Sequence, residues 1–184
     1  ALDGLQQTLT VDLVSAGKGT RLARTEMRYT DEPPPPTTGQ CKATATKVDS
    51  SYSGYDPAVL TDGVIGGKGL HWTQRAWASA DNGQTHWVNL DLDGPRAVTG
   101  ISLYWNYEEQ RTYASRRYRV LLQTPDGLRE MVAVQDDRER TCDQHSWDAI
   151  EATAIRLEQE AKGGPAQRPG ILWLREVTVS ERGP

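Results

Sequence analysis

The run WVNLDLDGPRAVTGISLYW at residues 87–105 leaves few folds open. Val88, Leu90 and Leu92 alternate with Asn89, Asp91 and Asp93, and after DGPRAV the residues Ile101, Leu103 and Trp105 alternate with Ser102, Tyr104 and Asn106. A period of two scatters around a helix but lines up on one face of a strand. Both halves are therefore expected to be strands with one face on a core and the other turned away from it. DGPRAV is the short turn between them, with Pro95 outside the ladder, where its missing N–H does no harm. Trp87 is expected to close one end of the packed layers, and His86 to be a strand-edge histidine.

The same pattern recurs along the chain. Tyr118, Val120 and Leu122 alternate with Arg119 and Leu121 ahead of a TPDG turn, in which Gly127 can take a positive φ. LREMVAVQ returns from that turn, and ATAIRLEQ and ILWLREVTVS follow. No long window carries a helical period. Many short strands between turns rich in Gly, Pro and Asp argue for an all-β sandwich. With 0 Phe in the chain, its core must be built from Trp, Leu, Val, Ile and Tyr. Trp72, Trp87, Trp105 and Trp173 are expected to serve that packing, and Trp147 to lie beside Cys142.

DEPPPPTTG divides the chain. Four consecutive prolines form a stiff spacer, so residues 32–39 read as a linker. Before it, residues 1–31 read as a β-hairpin, in which Leu9, Val11 and Leu13 alternate with polar residues ahead of the SAGKG turn. A hairpin alone is marginal, so it is either the tail of a preceding domain or an added edge. The chain starts at Ala1, which suggests a processed or excised fragment. Cys41 and Cys142 lack zinc-site spacing. They either pair across a loop of about 100 residues, contributing roughly 4–5 kcal/mol, or stay as buried thiols.

From Cys41 onward the segments run CKATATKVDSSYSGYDPAVLTDG, HWTQ, THWVNLDLDGPRAVTGISLYW, RRYRVLLQTPDG, TAIRLEQE and LWLREVTV. In this order they resemble a discoidin domain, the coagulation factor 5/8 type C domain, known in carbohydrate-active enzymes as carbohydrate-binding module family 32. The resemblance rests on the ordered set, since no single segment is specific. It implies that residues 40–182 form an antiparallel jelly-roll-like β-sandwich of about eight strands with a galactose-binding-like fold, and that ligands are held by loops at one end.

The resemblance also implies a calcium ion beside the DG turn, held by an aspartate, backbone carbonyls and a glutamate of the last strand, an oxygen-rich set that suits Ca²⁺. Asp62 and Glu176 occupy those positions. Val64 and Leu70 stand where the family often has polar residues, and Lys68 brings a cation nearby. The alternative is a solvated turn held by hydrogen bonds to Asp62.

Sugar sites pair an aromatic face, packed on the apolar side of a pyranose, with forked donors and acceptors that read hydroxyls. Residues 105–118 are rich in both, with Asn106, Tyr107, Glu109, Arg111, Tyr113 and Arg116. By position in the resemblance, Arg111 is the best match for an arginine that contacts sugar, with Arg116 the next. Residues 73–85 add Arg75, Trp77 and Asn82, and residues 160–173 add Lys162, Gln167 and Arg168. Trp77 is the tryptophan expected to stack on a ligand. For each of these residues the plainer alternative is a solvated rim, or a half-buried cover in the case of Trp77.

Other chemistries find little support. The net charge of −4 gives no electrostatic footprint for nucleic acid. No apolar run approaches the roughly 20 residues of a membrane span, and Trp77 is a lone apolar loop candidate for membrane binding. There is no G-x-S-x-G. Glu108 and Glu109 are adjacent, so in extended chain they point to opposite faces and cannot flank one bond. The sequence therefore reads as a non-catalytic module that binds a glycan or polysaccharide, attached to an upstream catalytic domain of a secreted bacterial enzyme, extracellular or periplasmic. The other reading is a structural or adhesion module that docks on protein.

Overall fold

The computed structural model describes the backbone of residues 7–14, 21–29, 39–66 and 69–182, with side chains from residue 39 onward except at 45 and 46. The chain divides into two units, Ala1–Pro34 and Pro35–Pro184. The first contains a two-stranded antiparallel ribbon of β1 (Gln7–Val14) and β2 (Arg21–Tyr29), with Leu9 opposite Met27. The SAGKG turn, the proline run and Lys68 lie outside the described residues.

The second unit is a β-sandwich. Its strands are β3 (Gln40–Cys41), β4 (Ala43–Val48), β5 (Trp77–Ala78), β6 (His86–Trp105), β7 (Tyr107–Glu108), β8 (Arg111–Thr112), β9 (Arg117–Thr124), β10 (Gly127–Gln135), β11 (Cys142–Gln159) and β12 (Trp173–Glu181). Single 3-10 turns lie at Pro57–Thr61 and Trp72–Gln74. All pairings are antiparallel. No helix among the described residues is long and apolar enough to cross a membrane.

Two long strands serve both layers. Residues 86–92 of β6 pair with residues 154–159 of β11 and with β4, and residues 154–159 pair onward with β9, which carries β10. Residues 98–105 of β6 pair with residues 142–146 of β11 and with β12, which carries β3 and β5. The DGPRAV segment is thus a bend inside one strand, with Gly94 at φ +80°, a backbone region that side chains disfavour. Since β6 and β11 both fold back at mid-length, both ends of each strand finish at the same end of the sandwich.

The alternation assigns the core as expected. Val88, Leu90 and Leu92 are buried from one layer and Ile101, Leu103 and Trp105 from the other, joined by Tyr118, Val120, Leu122, Ile155 and Leu157. Burying each such aliphatic side chain contributes roughly 1.5–3 kcal/mol.

Two expectations are corrected by the packing, and the open question of the cysteines is decided. Trp87 has the same parity as Asn89 and therefore faces outward, half-buried, with the Arg156 guanidinium 4.3 Å from its ring centre. Trp72 is 43% exposed, because it opens a 3-10 turn in a loop and not a strand. The cysteines do not pair. Cys41 lies opposite Val179 on β12, and Cys142 lies opposite Tyr104 on the far side of β6. Three strand spacings of about 4.8 Å separate them, roughly twice the reach of a disulfide. Both are free thiols, and burial pushes the Cys142 thiol up to about 12. Trp147 is half-buried and donates to the Val98 carbonyl at 3.1 Å.

Candidate functional site

The loops at the shared end of β6 and β11 interlock through backbone hydrogen bonds. Tyr52 N–H donates to the Ala78 carbonyl at 2.8 Å, Ser79 to Leu172 at 2.9 Å, Asn106 to Trp173 at 3.2 Å and Arg116 to Gly163 at 2.7 Å. Residues 49–56, 73–85, 106–116 and 160–172 are thereby gathered, as the sequence suggests for the last three. Gly170 is required by this packing, since a Cβ there would lie 2.9 Å from the backbone nitrogen of Gly83.

His86 is fully buried beneath these loops, not at a strand edge. Its Nδ1 contacts Asp49 Oδ2 at 2.7 Å and its Nε2 the Gly170 carbonyl at 2.9 Å, so the ring ties residues 160–172 to the start of β6. Asp49 Oδ1 also accepts from Trp87 N–H at 2.8 Å, and Oδ2 from Ser50 Oγ at 2.7 Å. Burial pushes the Asp49 carboxyl up, but these hydrogen bonds outweigh it and hold the group below its ordinary value. Ser50, Asp49 and His86 do not form a nucleophilic relay. Ser50 and His86 converge on the same carboxylate oxygen, and the distal ring nitrogen is spent on a carbonyl.

A second brace lies between the layers. Asp143 accepts from Tyr118 Oη at 2.7 Å, from Trp105 Nε1 at 2.9 Å and twice from Arg140 Nε, at 2.7 and 2.8 Å. Arg140 donates on to the Ser115 carbonyl at 2.6 Å, which fixes the chain between β8 and β9.

Above these braces sits an aromatic shelf. Trp173 forms its floor, with the Tyr113 ring 4.7 Å and the Tyr55 ring 6.3 Å away. Tyr55 packs edge-on against Trp72 at 4.8 Å and Tyr52 at 6.4 Å. Tyr52 and Trp72 present 46% and 43% of their surfaces to solvent. Burial, with the Glu108 charge, pushes the Tyr55 hydroxyl up to about 12, so it stays a neutral donor.

Two arginines flank the rings. Arg168 lies 5.7 Å from the Tyr52 ring centre and 5.4 Å from that of Trp173, and is held by Asp81 at 2.9 Å. Arg175 donates through Nε to Asn106 Oδ1 at 3.3 Å and through Nη2 to the Tyr107 carbonyl, and its guanidinium lies 6.0 Å from the Tyr107 ring centre. Burial lowers the Arg175 pKa, partly opposed by Glu108.

The residues expected from sequence divide around this shelf. Tyr107 is exposed, and Tyr113 packs against the floor tryptophan with its ring tilted by 48°. Glu109 and Gln110, at φ +50° and +61°, form the tip of the β7–β8 hairpin, and Glu108 stands opposite the exposed Arg111. Asn106 is buried beneath Arg175, and its Nδ2 has no partner among the described residues. Arg75 donates to the Leu70 carbonyl at 2.6 Å and braces its own turn. Arg116 donates to the Gly164 carbonyl at 2.8 Å, so its guanidinium supports the neighbouring loop. The expectation for Trp77 is overturned: it is 0% exposed in the short strand β5, bonded to Ser51 Oγ at 2.8 Å, and cannot meet a ligand.

Tyr52, Tyr55, Trp72 and Arg175 were not among the candidates. The first two precede a turn that carries no motif, and Arg175 sits in a strand that reads as core. Trp72 was expected in the core, and the one local signal against that is the polar TQR stretch that follows it.

Asp62 and Glu176 do come together. Gly63 N–H donates to Glu176 Oε2 at 3.2 Å, and Val64 N–H to Asp62 Oδ1 at 2.8 Å. Glu176 is 2% exposed, and burial, with the Asp62 charge, pushes its carboxyl up to about 8. Two convergent carboxylates, one of them buried without a cationic side chain bonded to it among the described residues, are suited to a hard cation. The described residues hold no group of three or more His, Cys, Asp or Glu, so further ligands there would have to be carbonyl oxygens.

A family model for the F5/8 type C domain matches residues 42–171. Among curated proteins, none matches the chain. The family 32 CBM from C. perfringens NanJ, in complex with galactose, is 16% identical, with a TM-score of 0.62, over 78% of this chain and 98% of that one. Chitosan-binding module 1 of the chitosanase/glucanase from Paenibacillus sp. IK-5 is 19% identical, with a TM-score of 0.56, over 76% and 95%. A Streptococcus pneumoniae fucose binding module, SpX-3, is 14% identical, with a TM-score of 0.58, over 79% and 100%. At these identities the likeness is one of fold.

Proposed function

The chain belongs to the F5/8 type C domain family, and from that premise we propose that its sandwich is a non-catalytic carbohydrate-binding module with its glycan site on the aromatic shelf. The observation that carries this reading is the exposure of Tyr52 and Trp72, both packed on Tyr55, with Arg168 beside Tyr52 and itself held by Asp81. The apolar face of a pyranose packs on such rings, while guanidinium donors and neighbouring carboxylates read its hydroxyls. Galactose, chitosan and fucose are the ligands named for the structural neighbours, and they supply the first panel of sugars to try.

The module serves a secreted polysaccharide-active enzyme whose catalytic domain lies upstream, with the β1–β2 ribbon and the proline run leading from it. Weak binding of polymer then raises the local substrate concentration at the tethered active site. A calcium ion at Asp62 and Glu176, completed by turn carbonyls, is part of the same proposal. Asp62 and Glu176 would hold the ion, whose positive charge would offset theirs, and Gly63 N–H ties the turn after Pro57–Thr61 to Glu176 of β12. Isothermal titration with galactose, N-acetylgalactosamine, fucose and chito-oligosaccharides tests the sugar reading. Binding that is lost in Trp72→Ala supports it, and no heat with any of them at millimolar concentration refutes it.

A further inference from the structure

The outer face of the layer formed by β4, the first half of β6, the second half of β11, β9 and β10 is not used by the shelf. It carries a groove of about 470 Å³, within the size range of small-ligand sites. Two cross-strand rows make its floor. One pairs Asn89 with Arg156, the other runs Asp91, Ala154, Gln123 and Leu128, and the exposed Thr153 adds a hydroxyl beside them. The second row alternates hydroxyl-reading groups with apolar ones, and Leu128 is 56% exposed at the rim. Asn89 Oδ1 is buried at the floor with no partner among the described residues. Arg156 engages Glu158 through Nε at 3.1 Å, with its guanidinium laid over Trp87.

We propose that this groove is a second glycan subsite, one that takes internal residues of a neutral polysaccharide whose neighbouring sugars occupy the shelf. The proposal rests on the glycan reading of the shelf for the identity of the chain it shares. The lining contains one carboxylate, Asp91, and one guanidinium, Arg156, so it carries no net charge to select a phosphate or a nucleic acid. Amide, hydroxyl and carboxylate groups beside exposed leucine match the alternating polar and apolar faces of pyranose rings. From Asn89 the outward-facing positions lead through Trp87 to the start of β6, about 10 Å at a strand's rise per residue, and the shelf lies beyond that end of the strand, on Trp173 of β12. A chain of several sugars can span that distance.

The test is titration of the full chain with chito-oligosaccharides and galacto-oligosaccharides of increasing length. The wild type, the shelf variant Trp72→Ala and two groove variants, Asp91→Ala/Gln123→Ala and Thr153→Arg, are compared, each with its fold checked by circular dichroism and thermal melting. The proposal expects wild-type affinity to rise about tenfold from disaccharide to the longer chains. The groove variants flatten that rise while monosaccharide affinity stays within about twofold. No rise with length in the wild type, or a full rise in both groove variants, overturns the groove. Should Trp72→Ala bind as the wild type does while the groove variants lose the rise, the groove stands and the shelf reading falls. Absence of binding to every chain overturns both.

Discussion

His86→Ala tests whether the clamp beneath the loops is what holds the shelf together. The substitution deletes the contact with Asp49 at 2.7 Å and leaves the Gly170 carbonyl without the donor 2.9 Å away. A hydrogen bond to a charged group is worth about 1.5–3 kcal/mol, and the stranded carbonyl and the cavity left by the ring raise the cost to about 3–5 kcal/mol. For a domain of this size that lowers Tm by on the order of 10 °C. All six tryptophans lie in the sandwich unit, so intrinsic fluorescence in urea reports its unfolding and not that of the β1–β2 ribbon. The pH dependence has a defined sign. Asp49 is held below its ordinary value of 3.8, so its contribution is fully present above that pH and is lost as the pH falls through the lowered folded value. The gap between wild type and variant should therefore shrink as the pH falls below about 3.8. A loss under about 1 kcal/mol at neutral pH would refute the clamp.

Trp72→Ala should leave stability within about 0.5 kcal/mol while weakening sugar binding about tenfold, whereas Trp77→Ala should cost about 3–5 kcal/mol in urea melts. Equal effects of the two would contradict the assignment of shelf and core. Reductant should leave the melting temperature unchanged, and a thiol reagent should count 2 thiols after denaturation. A fall in Tm on reduction would mean the cysteines pair. Calcium in excess over a chelator should raise Tm, by about 2.7 kcal/mol of added stability at a hundredfold excess over Kd, and Glu176→Gln should abolish the rise. An unchanged rise in Glu176→Gln would place the ion elsewhere.

The strands were legible because pleat parity is local. Knowing that Val88 and Leu90 face inward requires only the neighbouring residues, and it fixes Asn89 and Asp91 outward. The order of strand-like segments was enough to suggest the family. The loops offered no such period. Trp72 and Trp77 are 5 positions apart in a segment without alternation, and the sequence assigned them the wrong way round. What decides is that Trp77, in β5, pairs with Leu174 of β12, while Trp72 opens a 3-10 turn in a loop and stays 43% exposed.

By itself, then, the sequence determined the all-β class, the inward and outward faces, the position of the bend in β6 and the loops worth examining. These follow from the backbone's period of two and the conformational freedom of Gly94 beside Pro95. The tertiary structure alone decided what depends on strand order and loop convergence. It set Cys41 and Cys142 three strands apart, turned His86 from an edge residue into a buried clamp, and brought Tyr52 to Arg168 across more than a hundred positions of chain. Such neighbours are chosen by which strands pair and where two long strands fold back, and no local stretch of sequence encodes that choice.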